Sequence, residues 1–196
     1  MYKKILLCIA FYLLLANITY SQKEELPFEN IQVGANYFNN FNKNEFHKYW
    51  NSTNGAGAYL KTPFYFGFIK IGLNYSDCQS KSNEQPDFVN LIAYLDWGKE
   101  FQLPLDICVS TFFKIGISQM DFERSALFVH EGFLLERELL IGTGFIISYD
   151  LIDRLQIFTG LDYQKTFTQK PMELSFLQIG LSYKFDSPEW LKDFLK

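Results

Sequence analysis

Eight segments of the chain alternate apolar and polar residues, and this period of two constrains the fold more than any other sequence feature. Successive side chains of a strand point to opposite faces, so the alternation predicts a sheet with two chemically different faces. Tight connections between the segments alternate with long ones, which is typical of an up-and-down antiparallel meander. The predicted strands cover residues 31–38, 56–62, 65–75, 88–100, 105–119, 136–149, 154–164 and 173–185.

The composition of the two faces favours a membrane barrel over a soluble one. One face carries branched aliphatic residues such as Leu73, Ile115 and Ile147, and the other carries glycines, hydroxyls and charges. Glycines on the polar face suit a crowded lumen, and aromatic residues cap the aliphatic face at the strand ends. The sequence therefore predicts an all-β fold, an eight-stranded antiparallel up-and-down transmembrane β-barrel with a short C-terminal amphipathic helix. A soluble sandwich or lipocalin-like barrel, with its apolar face inward, is the alternative.

The composition supports a membrane barrel and argues against a nucleic-acid-binding protein. Aromatic residues make up 18% of the chain, with 21 Phe and 12 Tyr, and such side chains suit both strands and membrane interfaces. The formal net charge is −4, which provides no basic surface for DNA or RNA. We therefore expect no nucleic-acid partner.

The N-terminal segment has the pattern of a secretory signal peptide. Lys3 and Lys4 precede an apolar run over residues 5–15, and small residues precede Gln22, where we expect cleavage. The predicted organisation is a signal peptide at 1–21, an outer-membrane barrel at 22–185 and a periplasmic helical tail at 186–196.

The last predicted strand carries the most specific local pattern, Gln178-Ile179-Gly180-Leu181-Ser182-Tyr183-Lys184-Phe185. It resembles the final-strand signal of the small outer-membrane β-barrels of Gram-negative bacteria, the OmpX-like and OmpA-transmembrane-domain-like families, especially those of Bacteroidota. The resemblance implies recognition by the barrel-assembly machinery during biogenesis and a location in the cell outer membrane. The pattern normally ends the chain, whereas residues 186–196 follow it here. The resemblance implies no single activity.

Two sets of residues are candidates for specific roles in the barrel. An eight-stranded barrel is just wide enough for side chains to fill it, so charges on the polar face should pair across the lumen. The predicted lumen charge network is Lys70, Asp96, Lys114, Glu138, Asp162 and Lys184. The predicted aromatic girdle is Tyr37, Tyr75, Trp97, Tyr149, Tyr163, Tyr183 and Phe185.

The C-terminal tail predicts a short amphipathic helix. Ser187 and Pro188 form a helix-start pattern. The contact face of this helix is predicted to be Trp190, Leu191, Phe194 and Leu195. It could lie on the inner leaflet, cover the end of the barrel or bind a partner.

The sequence favours a protein without catalytic, cofactor or metal site. We expect a structural, adhesive or accessory outer-membrane protein, in contact with lipid, that could belong to a larger envelope or secretion assembly through its tail or outer loops. A lipid-modifying enzyme is one alternative, because Ser125, His130 and Glu131 share a long loop. A narrow pore is the other.

Facing assignments also give expectations for single residues. Cys78 and Cys108 should not form a disulfide, because a barrel wall about 25 Å tall separates the ends at which they lie. Cys78 should be reachable from outside and Cys108 shielded in the lumen. Arg at Ile115 should be costly, whereas Lys114 should tolerate Gln far better.

Overall fold

The computed structural model describes residues 26–51, 53–82, 85–123 and 135–193. Over these residues the chain forms eight strands and two short helices, α1 at Phe46–Tyr49 and α2 at Glu189–Asp193. The strands are β1 Asn30–Asn40, β2 Asn54–Phe64, β3 Gly67–Cys78, β4 Phe88–Leu103, β5 Ile107–Phe122, β6 Leu135–Ile152, β7 Leu155–Thr166 and β8 Met172–Asp186. Neither described helix has the length and hydropathy needed to cross a bilayer.

All strands belong to one closed antiparallel sheet. Each strand pairs with the next along the chain, and β8 pairs with β1 over eleven residues, from Asn30 opposite Asp186 to Asn40 opposite Phe176. Closure removes the free edges that an open sheet would expose, so every strand has two neighbours. The eight-stranded antiparallel barrel expected from the sequence is confirmed.

The barrel has two different ends. Three tight turns, at Tyr65–Phe66, 104–106 and 153–154, lie at one end together with the start of β1 and the end of β8. We call this the turn end. The longer connections that follow β1, β3, β5 and β7 lie at the opposite end, which we call the loop end.

The first tight turn lies further along the chain than the sequence predicts. The pattern predicts a turn over residues 61–64 around Pro63, but β2 continues through Pro63 to Phe64, and the turn is Tyr65–Phe66. Pro63 lies beyond Lys61, the last β2 residue paired with β1. Proline is tolerated there because it lies at the end of the ladder, where the missing N–H breaks little pairing.

The polarity of the barrel is the reverse of that of a soluble protein. Outward side chains such as Leu73, Ile117 and Leu139 are exposed, whereas inward side chains such as Lys114 and Asp96 are buried. Such a contiguous apolar outer surface is far larger than soluble monomers present to water. The outer surface of the barrel therefore suits lipid, and the inner surface is polar.

Glycines make room for aromatic rings inside the barrel. A Cβ atom on Gly34 would lie 2.3 Å from Cζ of Tyr59, and one on Gly72 would lie 2.5 Å from the hydroxyl oxygen of Tyr94. Both distances are shorter than any normal carbon contact. These inward glycines therefore let the rings lie flat against the wall of a narrow lumen.

Candidate functional site

Four of the six predicted lumen charges form a buried quartet. Lys70, Asp96 and Lys114 lie opposite one another on β3, β4 and β5, and Asp162 reaches the group from β7. Nζ of Lys70 lies 2.6 Å from Oδ2 of Asp96, and Nζ of Lys114 donates to Oδ2 of Asp162. All four side chains are at most 5% exposed. The quartet balances two positive and two negative charges inside the barrel.

The other two predicted charges lie away from the quartet. Glu138 lies on β6 opposite Ser118, towards the loop end, and Lys184 lies on β8 opposite Gln32, near the turn end. Neither forms an ion pair with another residue among those the structure describes. Both side chains point inward as expected, but distance along the barrel axis separates them from the quartet.

A third inward ion pair joins Lys61 and Glu100, and the sequence did not predict it. The alternation that places Asp96 inside also places Glu100 inside, because the two residues are four apart on one strand. The sequence therefore already indicated that Glu100 faces the lumen. Lys61 lies on β2, the segment with the weakest alternation, and its direction became clear only from its neighbours in the closed sheet.

Aromatic rings surround the lysines of the quartet. Nζ of Lys70 lies 4.6 Å from the ring centre of Phe112, and Nζ of Lys114 lies 4.4 Å from the ring centre of Tyr94. At these distances the ring faces attract the ammonium groups, and they also occupy the space beside them. The middle of the lumen is therefore filled by paired charges and rings.

A hydrogen-bonded layer lies across the turn end of the lumen. Nε2 of Gln32 donates to Oε1 of Gln156 and to Oγ of Ser182, both at 2.7 Å. These side chains come from β1, β7 and β8, so the bonds connect strands across the barrel closure.

An apolar cluster fills the loop end of the lumen. It contains inward residues of five strands together with Phe46 of α1, and Trp50 packs against it. We call this cluster the loop-end cap, and its buried members are Phe38, Phe46, Cys78, Phe88, Met120, Leu174 and Phe176. The Trp50 ring stacks on Phe46 at 5.3 Å between centres and meets Phe88 edge to face at 5.5 Å.

Hydrogen bonds hold the connection after β1 against the connection after β3. Nε1 of Trp50 donates to the carbonyl oxygen of Pro86 at 3.0 Å. The backbone N–H of Asn51 donates to Gln79, and that of Lys81 donates to Tyr49, both at 2.8 Å. These bonds fix the two connections over the mouth of the barrel, so that α1 and Trp50 cover the loop-end cap.

Cys78 and Cys108 are both free and both buried. The expectation that they would not pair agrees with this geometry. The expectation that Cys78 is reachable from outside is wrong. Cys78 points into the lumen and is part of the loop-end cap, because the chain after β1 folds back over the mouth. Strand alternation alone could not reveal that cover.

Opening the loop-end cap should expose Cys78. We expect Phe46→Ala to accelerate maleimide labelling of Cys78 by about tenfold or more, since loss of a buried ring lowers the cost of local opening. The measurement is peptide mapping of purified protein in detergent after timed labelling. Phe41→Ala, which removes an exposed ring from the same connection, is the matched control and should leave the rate unchanged. Rapid labelling of the unsubstituted protein would contradict the cap.

The predicted girdle residues all lie on the outer face and are exposed. Tyr37, Tyr75 and Tyr163 lie nearer the loop end of their strands. Trp97, Tyr149, Tyr183 and Phe185 lie nearer the turn end. The two groups are thus separated along the barrel, as two interfacial bands would be.

The C-terminal tail lies only partly within the described residues. Trp190 is exposed on α2 and Leu191 is partly buried, whereas Phe194 and Leu195 lie outside the described residues. Ser125, His130 and Glu131 also lie outside them, as does the predicted signal peptide at 1–21. Among the residues that are described, no three His, Cys, Asp or Glu side chains are arranged to hold a metal ion.

Comparison with known proteins identifies the fold. The sequence matches no protein-family model and no curated protein. Neisserial surface protein A is similar in structure, with a TM-score of 0.50 and 10% identity, covering 80% of this chain and 96% of that one. Outer membrane protein H of P. aeruginosa is similar with a TM-score of 0.51 and 16% identity, covering 80% and 99%. The chain therefore has the fold of the small eight-stranded transmembrane barrels of bacterial outer membranes.

Proposed function

We propose that this protein is a non-enzymatic, non-conducting barrel of a bacterial outer membrane with a structural, adhesive or accessory role. The apolar outer face and the two separated groups of aromatic residues support lipid as its surroundings. The signal-peptide pattern at 1–21 supports export. Long loops of outer-membrane barrels lie outside the cell and short turns lie in the periplasm, so the loop end faces the cell exterior and the turn end faces the periplasm.

The observation that carries the proposal is the succession of side-chain layers along the lumen. The loop-end cap, the quartet with its rings and the hydrogen-bonded layer of Gln32 follow one another along the axis. A conducting pore needs a continuous aqueous path, and these layers place side chains across the lumen at three heights. What the fold presents to its surroundings is therefore its two ends and its outer wall.

No observation on the described residues favours the enzyme alternative, whose Ser125, His130 and Glu131 lie outside them. His47, the one described histidine, lies on α1 with its Nδ1 3.1 Å from Oδ1 of Asn44. Burial, with a smaller contribution from Lys81 and Lys43, lowers the pKa of His47 below its ordinary value. Its surroundings hold it as part of the folded connection over the mouth.

Membrane location is tested by fractionation and by migration on detergent gels. We expect the protein in the outer-membrane fraction, with unboiled and boiled samples migrating differently, because a closed hydrogen-bonded barrel resists detergent until it is heated. Recovery in the soluble periplasm with no heat-dependent shift would contradict the proposal.

Planar-bilayer recordings test the absence of conductance. The purified protein should add no channel activity above that of lipid alone, while a known porin measured in parallel gives a positive control. Phe46→Ala should also stay silent, since the quartet and the Gln32 layer still fill the lumen. Steady channels from the unsubstituted protein would favour the pore alternative instead.

A further inference from the structure

Large apolar side chains stand exposed on or beside each tight turn and on the tail at the turn end. Phe66 is 86% exposed and Leu105 is 81% exposed, each on a tight turn, and Ile152 is 65% exposed where β6 ends. Trp190, on the helix that follows β8, is 71% exposed. We call these four residues the turn-end ring. Turns are normally built from Gly, Asn, Asp and Ser, so the apolar tips on two of the turns, together with Ile152 beside the third turn and Trp190 on the tail, need another explanation.

Local backbone stability does not explain the large side chains of the first two turns. Tyr65 has φ of 43°, and Leu105 and Asp106 have φ of 68° and 57°. Glycine or asparagine adopts this left-handed conformation at little cost, whereas Tyr and Leu are disfavoured in it. The turns thus retain large apolar residues at a conformational cost, which points to a use for the side chains themselves.

Carboxylates accompany the apolar tips. Asp106 follows Leu105, Asp153 follows Ile152, and Glu189 precedes Trp190. Among the described residues at this end, the exposed acidic side chains are Glu29, Asp106, Asp150, Asp153, Asp186 and Glu189. The basic side chains there that point away from the lumen are Lys99, Arg154 and Lys192, and Arg154 already pairs with Asp186 at 2.9 Å. The surface around the ring is therefore acidic.

The acidic charge around the turn-end ring favours a protein over lipid as the partner of this surface. Lipid phosphates would repel these carboxylates, and carboxylates partition poorly into a membrane interface. A protein surface with apolar pockets and a basic rim would complement both the tips and the charges. The four residues lie on or beside the three turns and on the tail, which are distributed around the whole barrel, so such a partner would cover the end rather than one side.

We infer that the turn-end ring is a docking surface for a periplasmic protein with a basic, apolar-pocketed face. The inference rests on the proposed function, because it requires the turn end to face the periplasm. It makes the barrel the membrane anchor of an assembly whose contact is formed by Phe66, Leu105, Ile152 and Trp190.

Site-specific photo-cross-linking in living cells tests the inference. Phe66→p-benzoylphenylalanine and, separately, Leu105→p-benzoylphenylalanine should each give one discrete protein adduct, identified by mass spectrometry as the same basic periplasmic protein. Leu73→p-benzoylphenylalanine, exposed on the lipid face, is the matched control and should give no such adduct. Adding Asp106→Lys and Asp153→Lys should reduce the adduct by about tenfold or more, since charge reversal opposes a basic partner.

Each other result overturns the inference. Adducts with phospholipid alone would assign the ring to the membrane, and adducts with a second copy of this chain would assign it to self-association. An adduct that survives charge reversal, or no adduct at all, would also refute a basic partner. Every variant is first checked for outer-membrane fractionation and a heat-dependent gel shift. A variant that passes both checks but forms no adduct refutes the docking surface and leaves the membrane location intact.

Discussion

Asp96→Asn should lower the free energy of unfolding by about 3–5 kcal/mol, because it leaves the ammonium of Lys70 buried without its partner. Oδ2 of Asp96 lies 2.6 Å from Nζ of Lys70, and the two side chains are 0% and 4% exposed. Water therefore cannot replace the lost carboxylate easily. The measurement is urea unfolding of the barrel in lipid vesicles, followed by the gel shift between folded and unfolded forms.

A second variant distinguishes an unpaired charge from a simple packing defect. Lys70→Met together with Asp96→Asn should recover at least half of the lost stability, since no uncompensated charge remains. Glu173→Gln, which breaks the exposed pair between Lys165 and Glu173, is the matched control and should leave the unfolding midpoint unchanged. Equal losses for the single and double variants would show that the charge balance of the quartet is not what stabilises the lumen.

Ile115→Arg should destabilise the barrel by roughly 2–4 kcal/mol in lipid, because Ile115 lies near the middle of β5 on the outer face. A guanidinium there must enter the hydrocarbon region or reach far along the wall to water. The same urea titration measures the change. The effect should shrink in short-chain detergent, which lets water approach the middle of the barrel.

Leu135→Arg is the matched control for depth. Leu135 is also exposed and outward, but it is the first residue of β6 at the loop end. Its substitution should cost little, since cost falls towards the interfaces. Similar losses at both positions would contradict a lipid-facing belt centred on the strand middles.

Lys114→Gln should destabilise the barrel more than the sequence suggested. Strand alternation places Lys114 in the lumen, and a lumen residue would ordinarily accept a polar substitute. The structure shows that Lys114 donates to Asp162 and lies 1% exposed between aromatic rings. Glutamine would leave the carboxylate of Asp162 without a cation in a closed interior. A loss comparable to that of Asp96→Asn is therefore expected there.

The sequence alone determined which way most strand residues face. A strand turns alternate side chains to opposite sides, so the placement of Ile115 outside and Lys114 inside needed only the period of two. The alternation of short and long connections determined the order of the strands, because each tight turn forces its two strands to be neighbours. Closure of the sheet then follows, since β1 and β8 would otherwise be left as long unpaired edges.

Tertiary structure decided what those faces meet. Alternation fixes a direction but not a height along the barrel axis, and height depends on the stagger between all eight strands. That stagger joins Lys70, Asp96, Lys114 and Asp162 and leaves Glu138 and Lys184 outside the quartet. It also directs Lys61 towards Glu100, although the β2 pattern was too weak to assign.

The covered mouth and the exposed turn tips likewise depended on the folded chain. The connection after β1 has no strand period, so its sequence could not show which residues its aromatic side chains contact. Only the fold shows Phe46 and Trp50 packed over Cys78 in the loop-end cap. The sequence pattern placed Phe66 and Leu105 within predicted strands, whereas both lie on turns and are exposed in the folded chain. Sequence periodicity is local, whereas contacts across a closed lumen join residues that are far apart in the chain. The sequence could therefore predict which way a side chain faces, but not which side chains it meets.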